Sequence, residues 1–328
     1  MINPRHLSDA DALRSRFKAA QPFEHLCLDD FLQPDIARAL LDDFPGFERR
    51  DAADEFGRIG RKAVKTDLAS ISPAYARAAE YLVGDEFLES MSALTGIEGL
   101  KADPLQYGGG THENLDGHDL DPHIDFNYDS GTRRHRRINL LVYLNPVWEE
   151  GWGGCIALHS NPWDPQSDAV RAYAPIFNRA VMFATSERSW HGFEAIRLPA
   201  DAPTRSRKSL SIYLYTDERP SDEIAPEHGT FYVPRPLPGH IQTGRRLTAS
   251  DMDAIQDRLT RWSHWLRFHQ ARELELSGHL EAAKRRGNHG VRHHARALAS
   301  ELAWLGEALW LAFRRHVLRH RIDEEPHG

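Results

Sequence analysis

The sequence predicts a mainly β core with helical flanks. Between about residues 100 and 220, short runs of β-favouring residues are separated by Gly, Pro, Asn and Asp, with no helical periodicity between them. Before and after this region, apolar residues recur at spacings of three and four, as in amphipathic helices. Many short strands without intervening helices are typical of a β-sandwich or barrel, so we expect one of these at the centre of the protein.

The N-terminal flank alternates helical and extended signals. Ser8 precedes a run of helix formers and is the expected N-cap of a first helix. The segment "FEHLCLDDFL" predicts a short strand, and "DIARALLDDF" predicts an amphipathic helix. A further helical stretch is expected over residues 73–95. Helices should therefore pack against the β core from the N-terminal side.

Four segments of the β region are the clearest predicted strands. They read "RINLLVYLN", "GGCIALHS", "RAVMFATS" and "KSLSIYLYT". The segment "PRPLPGH" at 234–240 follows the last of them and has the composition of a linker. We therefore expect one domain over residues 1–233, with its β core at about 100–220, and a separate extension over 240–322.

The C-terminal extension is predicted to be helical. A capping signal at Thr248 or Ser250 begins it. Apolar positions then follow at helical spacing: Ile255, Leu259, Trp262 and Leu266. "GNHG" at 287–290 interrupts the pattern, and a second apolar stripe comes after it: Leu298, Leu302, Leu305 and Leu309. Two helices joined by a short Gly-containing turn predict an antiparallel hairpin, whose apolar stripes are a candidate homodimer surface.

Composition excludes several classes of protein. The 328 residues are 41% hydrophobic and 27% charged, as in ordinary globular proteins, and the net charge of −7 argues against a nucleic-acid binder. No apolar run is long enough to cross a bilayer, and the first residues lack the apolar core of a signal peptide. The two cysteines, Cys27 and Cys155, do not form a disulfide framework. We therefore expect a cytoplasmic protein.

The stretch "DPHIDFNYD" contains a candidate pair of metal ligands. In an extended chain, His123 and Asp125 point to the same side of the backbone. With 19 His and 48 acidic residues, roughly three such H-x-[DE] pairs should arise by chance, so the pair alone decides little. The second match, His279 with Glu281, falls in a predicted helix, where the two side chains diverge.

His191 is the candidate third ligand. It lies just beyond the predicted strand "RAVMFATS". Two imidazoles and one carboxylate on one side of a metal leave coordination positions open, an arrangement that suits non-haem Fe(II). Zinc accepts the same ligands but performs no redox chemistry, so this ligand set alone leaves both metals open.

The strand "RSRKSLSIYLYT" could bind an organic co-substrate. An iron oxygenase needs electrons, and if 2-oxoglutarate supplies them, its far carboxylate needs a cation. Arginine suits this role because its fork donates two parallel hydrogen bonds. Strand alternation places Arg207 and Ser209 on one face. Tyr143, in "RINLLVYLN", is a further candidate, since a buried Tyr hydroxyl needs a partner.

The order of these motifs resembles that of the Fe(II)- and 2-oxoglutarate-dependent oxygenases. H-x-D is followed by "NLLVYLN", then "GWGGCIAL", then a His after "RAVMFATS", then R-x-S, over about residues 105–216. The prolyl-4-hydroxylase-like branch is the most similar. The resemblance implies a double-stranded β-helix, or jelly roll, packed by N-terminal helices. It also implies two sets of site residues: His123, Asp125 and His191 for the metal, and Arg207, Ser209 and Tyr143 for 2-oxoglutarate.

The resemblance implies the reaction class more closely than the substrate. The expected cofactors are Fe(II), 2-oxoglutarate and O₂, with ascorbate as an optional addition. An unactivated C–H bond would be hydroxylated, with release of succinate and CO₂. Collagen-type prolyl hydroxylases are expected to carry Lys where this chain has Arg207. A prolyl residue in a protein, a small metabolite and an envelope sugar all stay open as substrates, and so does an oxidative outcome other than hydroxylation.

Two other interpretations come from different classes. A jelly roll can bind a metal or a sugar without catalysing any reaction. A zinc-dependent hydrolase on a similar barrel would use the same three ligands without O₂ and without Arg207.

Overall fold

The chain divides into two compact units, Met1–Arg235 and Pro236–Gly328. The computed structural model describes residues 1–52, 62–103, 108–202, 205–285 and 298–307. The division lies within the predicted linker at 234–240. None of the helices in these described ranges combines the length and hydropathy needed to cross a membrane.

Among the described residues, five short helices form the N-terminal flank of the first unit. Their bounds are α1 Pro4–Ser8, α2 Ala10–Ala19, α3 Pro34–Asp42, α4 Pro73–Val83 and α5 Asp85–Thr95. Proline begins three of them, where its missing N–H costs no hydrogen bond. The prediction that Ser8 caps a helix is wrong: Ser8 ends α1, and α2 begins after Asp9. The stretch at 73–95 forms two helices because Gly84 separates them.

In the part of the chain that the structure describes, twelve strands form two antiparallel sheets. The larger sheet has the order β1 His25–Leu28, β9 Ala180–Ala184, β6 His135–Tyr143, β11 Arg207–Thr216, β4 Gly110–Asn114 and β2 Ala63–Lys65, with β3 Lys101–Ala102 also paired to β11. The smaller sheet has the order β12 Phe231–Tyr232, β5 Leu120–Ile124, β10 Trp190–Phe193, β7 Ile156–His159 and β8 Val170–Tyr173. The predicted β core with helical flanks is confirmed, as a jelly roll.

The two faces of the larger sheet have different roles. On β6 and β11, one face carries Leu140 and Ile212, which pack with Phe17, Tyr75 and Met91 of the helices in a single apolar core. Because strand residues alternate, the other face of the same strands turns into the barrel. The polar side chains that alternate along "KSLSIYLYT" therefore face the interior of the barrel, as the sequence predicts.

The second unit contains one long helix, α6 Ala249–Arg285. Thr248 caps it: the Asp251 backbone N–H donates to Thr248 Oγ1, and the Thr248 N–H donates to Asp251 Oδ2, as in a capping box. Residues 298–307 are also helical. The predicted turn at 287–290 and the end of the second helix lie outside the described residues, so the hairpin stays a prediction.

Candidate active site

The pairing of β5 with β10 brings the three candidate metal ligands together. His123 and His191 are direct partners in this ladder, and Asp125 follows β5 immediately. His191 Nε2 lies 3.4 Å from Asp125 Oδ2, and His123 Nε2 lies 3.7 Å from Asp125 Oδ1. The ligand atoms all lie within 4.8 Å of one another, and the described residues contain no other such group of three or more.

Backbone carbonyls set the tautomer of both imidazoles. His123 Nδ1 lies 3.0 Å from the Asp121 carbonyl oxygen, and His191 Nδ1 lies 2.9 Å from that of Ser189. A carbonyl can only accept a hydrogen bond, so each Nδ1 carries the proton. Each Nε2 therefore presents its lone pair towards Asp125, as a metal ligand requires.

Gly192 permits the close approach of the two strands. A Cβ at this position would lie only 2.6 Å from the Leu120 carbonyl oxygen. The ladder also shifts register between His191 and Phe193. A glycine at this irregularity is what allows β10 to approach β5 closely.

All three candidate ligands are unprotonated at neutral pH. Burial lowers the pKa of His123, and burial together with His123 lowers the pKa of His191 to about 3. Burial alone would raise the pKa of Asp125, but the nearby Arg136, together with the hydrogen bond from Asn139, outweighs it and holds that pKa well below its ordinary value. A cation can therefore bind without displacing a proton.

A buried arginine orients Asp125, and sequence reasoning missed it. Arg136 is only 1% exposed, and its Nη2 lies 3.2 Å from Asp125 Oδ2. Arg136 Nε donates to Asn139 Oδ1 at 2.9 Å, and Asn139 Nδ2 donates to Asp125 Oδ2 at 2.7 Å. The guanidinium also lies over the Tyr213 ring, 3.6 Å from its centroid.

A β-bulge explains why alternation did not reveal Arg136. Ile138 pairs with Leu214, but Arg136 pairs with Tyr215, so Arg137 is an extra residue in β6. A bulge of this kind turns a side chain to the other face. Arg136 therefore enters the barrel, while Arg137 forms an ion pair with Glu223 at 3.2 Å.

Arg207, Ser209 and Tyr143 line a second part of the barrel. Arg207 is 3% exposed; its Nε donates to the Gly154 carbonyl at 2.7 Å, and its Nη2 donates to the Tyr143 hydroxyl at 3.0 Å. Ser209 pairs directly with Tyr143 across the ladder. Its buried Oγ has no hydrogen-bond partner in the described part of the chain. Burial raises the pKa of Tyr143, so its hydroxyl keeps a proton to donate.

His112 is a further polar group inside the barrel to which the sequence analysis assigned no role. It lies on β4 opposite Ser209, with Nδ1 3.0 Å from Ser211 Oγ and Nε2 3.0 Å from the Gly108 carbonyl. Burial lowers its pKa. Both ring nitrogens are occupied within the protein, which makes His112 part of the wall rather than an available ligand.

The geometry agrees with a comparison against protein families. Residues 109–215 match the model of the 2OG-Fe(II) oxygenase superfamily. This match confirms the resemblance inferred from motif order. No curated protein matches the chain.

Solved structures with similar folds share little sequence with this chain. A Pseudomonas putida prolyl-4-hydroxylase is 14% identical, with 63% of this chain and 99% of that chain covered and a TM-score of 0.42. Prolyl 4-hydroxylases from Phytophthora capsici are 18% identical, covering 89% and 90%, with a TM-score of 0.43. HygX from Streptomyces hygroscopicus, with nickel and 2-oxoglutarate bound, is 12% identical, covering 66% and 95%, with a TM-score of 0.42.

Proposed function

We propose that this chain, which carries a 2OG-Fe(II) oxygenase domain at residues 109–215, is a dioxygenase that oxidises an unactivated C–H bond of its substrate. His123, Asp125 and His191 hold Fe(II) in this proposal. The observation that supports it most strongly is the convergence of two Nε2 lone pairs and one carboxylate within 4.8 Å.

The donor set fits ferrous iron. Two imidazoles and one carboxylate leave open positions for a co-substrate and O₂. Arg136 and Asn139 both contact Asp125 Oδ2, so this oxygen is already oriented before a metal binds. Neither of these two contacts involves Asp125 Oδ1.

The Arg207 pocket fits the far carboxylate of 2-oxoglutarate. Arg207 supplies the charge, and Tyr143 supplies a hydroxyl proton. The buried Ser209 Oγ, which has no hydrogen-bond partner in the described residues, supplies a further donor. Gly154 has a φ of +66°, and a Cβ there would lie 3.3 Å from Arg207 Cδ, so glycine leaves space for the guanidinium.

The protein's residues position the reactants, and the cofactors supply the oxidising chemistry. His123, Asp125 and His191 would hold the iron, and iron with 2-oxoglutarate would supply the activation of O₂, the release of succinate and CO₂ and the oxidation of the substrate. Arg207 fixes the orientation of the co-substrate before chemistry begins. The neutral imidazoles and the ionised Asp125 keep the ligand set unprotonated.

The substrate belongs to one of three classes: a prolyl residue in a protein, a small metabolite or an envelope sugar. Hydroxylation is the proposed outcome. We also propose a cytoplasmic location, since Cys27 and Cys155 are both free thiols, as expected in a reducing compartment.

An anaerobic titration tests the ligand assignment. Fe(II) and 2-oxoglutarate together should give a visible metal-to-ligand absorbance with the wild-type protein. Asp125→Ala should lose this absorbance because a ligand is removed. Arg207→Met should need at least about 30-fold more 2-oxoglutarate, since losing one partner of a buried charge pair costs roughly 2 kcal/mol or more.

Lys208→Met is the matched control for Arg207→Met, because the neighbouring Lys208 ion-pairs with Glu113 on the other face of β11. It should leave the 2-oxoglutarate requirement unchanged. Succinate release is then measured over peptides, amino acids and glycolipids. Binding without any succinate would favour a non-catalytic jelly roll, and turnover without O₂ would favour a zinc hydrolase.

A further inference from the structure

Lys62 immediately precedes the edge strand β2, Ala63–Lys65. In the β2–β4 ladder Ala63 pairs with Glu113, and extending this register by one residue places Lys62 opposite Asn114. Asn114 in turn pairs with Arg207 on β11. Residues directly opposite each other share a face of the sheet, so Lys62 and Arg207 are on the same side.

Lys62 lies close enough to the site for charged groups of the site to act on its ammonium. The residue is exposed to solvent, but surrounding protein lowers the pKa of its ammonium. Asp125, Arg136 and Arg207 all act on its charge. Lys62 is therefore accessible to solvent and within electrostatic range of the site.

The ammonium has no partner of its own. Within the described ranges, Lys62 makes no hydrogen bond and no ion pair. The other two cations are committed: Arg207 bonds to Gly154 and Tyr143, and Arg136 bonds to Asn139 and ion-pairs with Asp125. An accessible ammonium that no carboxylate pairs with is available to an anion of a bound ligand.

Loading the site with cofactors does not supply that anion. Fe(II) and 2-oxoglutarate carry equal and opposite charges, and Asp125 and Arg136 also balance. Arg207 and Lys62 are then left as positive charges. Among the charged groups that act on Lys62, an excess of positive charge is left in the loaded site.

We propose that Lys62 binds an anionic group, a carboxylate or a phosphate, on the substrate of this enzyme. This inference rests on the dioxygenase function proposed above. It narrows the substrate to a molecule with a negative charge near the oxidised carbon, which neither a neutral sugar nor an uncharged peptide segment provides.

The test uses full-length protein loaded with Ni(II) and N-oxalylglycine, so that no turnover is needed. Pyridoxal 5′-phosphate, an anionic amine-reactive aldehyde, is added and fixed by borohydride, and labelled lysines are identified by peptide mass spectrometry. Competitors come in pairs that differ by a charge: glucose 6-phosphate with glucose, and N-acetylproline with N-acetylprolinamide. The two pairs distinguish a phosphate from a carboxylate.

Lys62 should be labelled, and the anionic member of at least one pair should reduce its labelling about 5-fold or more, the size of one ion pair. The neutral member should not. Lys65, three residues further along the chain and paired with Glu48 and Asp51, is the internal control and should respond to neither. Equal protection by both members of each pair would overturn the proposal. The proposal would also be overturned if Lys62 were labelled in protein loaded with Ni(II) only and lost this labelling when N-oxalylglycine was added. That result would place Lys62 in the co-substrate pocket.

Variants provide a second measurement. The anion that protects Lys62 should bind the loaded protein at least about 5-fold more weakly in Lys62→Met, as measured by calorimetry, and Lys62→Arg should restore binding. Equal binding to wild type and Lys62→Met would refute the role. Because neither readout involves succinate, a failure of the dioxygenase proposal is detected separately.

Discussion

At the scale of single residues, the buried Ser209 hydroxyl is unfavourable for folding but available for binding a ligand. A buried hydroxyl without a partner costs roughly 1–3 kcal/mol of stability. Ser211, two residues further along the same face of β11, is buried as well, but its Oγ lies 3.0 Å from His112 Nδ1. The two serines therefore form a matched pair, one available to a ligand and one already satisfied.

Ser209→Ala should have effects of opposite sign on stability and binding. The free energy of unfolding of the ligand-free protein should stay level or rise by up to about 1 kcal/mol, because an unsatisfied group is removed. The dissociation constant for 2-oxoglutarate should rise roughly 2- to 10-fold, the value of one hydrogen bond. Urea unfolding and calorimetric titration measure the two quantities.

Ser211→Ala is the control for this prediction. It should lose about 1 kcal/mol of stability, because the His112 nitrogen loses its partner. Equal destabilisation by the two substitutions would mean that Ser209 is satisfied within the protein, and that its hydroxyl is not reserved for a ligand.

At the scale of secondary-structure elements, the bulge in β6 decides which arginine enters the barrel. Arg136 and Arg137 are adjacent and chemically identical. The extra residue in β6 turns Arg136 towards Asp125 and leaves Arg137 beside Glu223. The one-residue bulge in β6 therefore places the positive charge of Arg136 beside Asp125, the candidate metal ligand.

Arg136→Met should weaken metal binding about 10- to 100-fold, as expected for the loss of a residue that orients a ligand. Ni(II) titration of the cofactor-free protein measures the effect. Arg137→Met should change the affinity by no more than about 2-fold, because its ion pair with the exposed Glu223 is worth little. Similar losses in both variants would show that general destabilisation, rather than the orientation of Asp125, is responsible.

Elements with strong local patterns could be predicted from the sequence. Regular alternation in "RSRKSLSIYLYT" correctly placed Arg207 and Ser209 on one face of β11. Alternation failed for Arg136, because nothing in the neighbouring residues signals the bulge. The two- and three-residue strands β2, β3 and β12 also escaped prediction, since so few residues carry no period, and pairing with distant strands decides their conformation.

At the scale of the whole first unit, apolar packing and polar chemistry occupy opposite faces of the same sheet. Helices cover one face with residues such as Phe17 and Met91. The other face encloses ionisable groups, and burial holds His123 and His191 in their neutral form. Groups whose pKa differs between the folded and unfolded chain make the stability of the entire unit depend on pH.

The sign of that dependence follows from His191. Its pKa is about 3 in the folded protein and about 6.5 in an unfolded chain, so between these values the unfolded chain binds more protons. Stability therefore rises with pH across this window, and it is lost as the pH falls below about 6.5. The depressed pKa of Asp125 acts in the same direction, but its contribution is lost only below its ordinary pKa of about 4.

Measurements at pH 7.5 and pH 5 therefore isolate the imidazole contribution from that of the carboxylate. Metal-free wild-type protein should lose about 2 kcal/mol more stability than His191→Gln over this interval, because the glutamine has no proton to gain. Urea unfolding at the two pH values provides the comparison, and His279→Gln on α6, where the histidine is exposed, should behave as wild type. An equal loss in wild type and His191→Gln would mean that His191 is not held neutral. The proton-free ligand set that makes the barrel ready for a cation would then be absent.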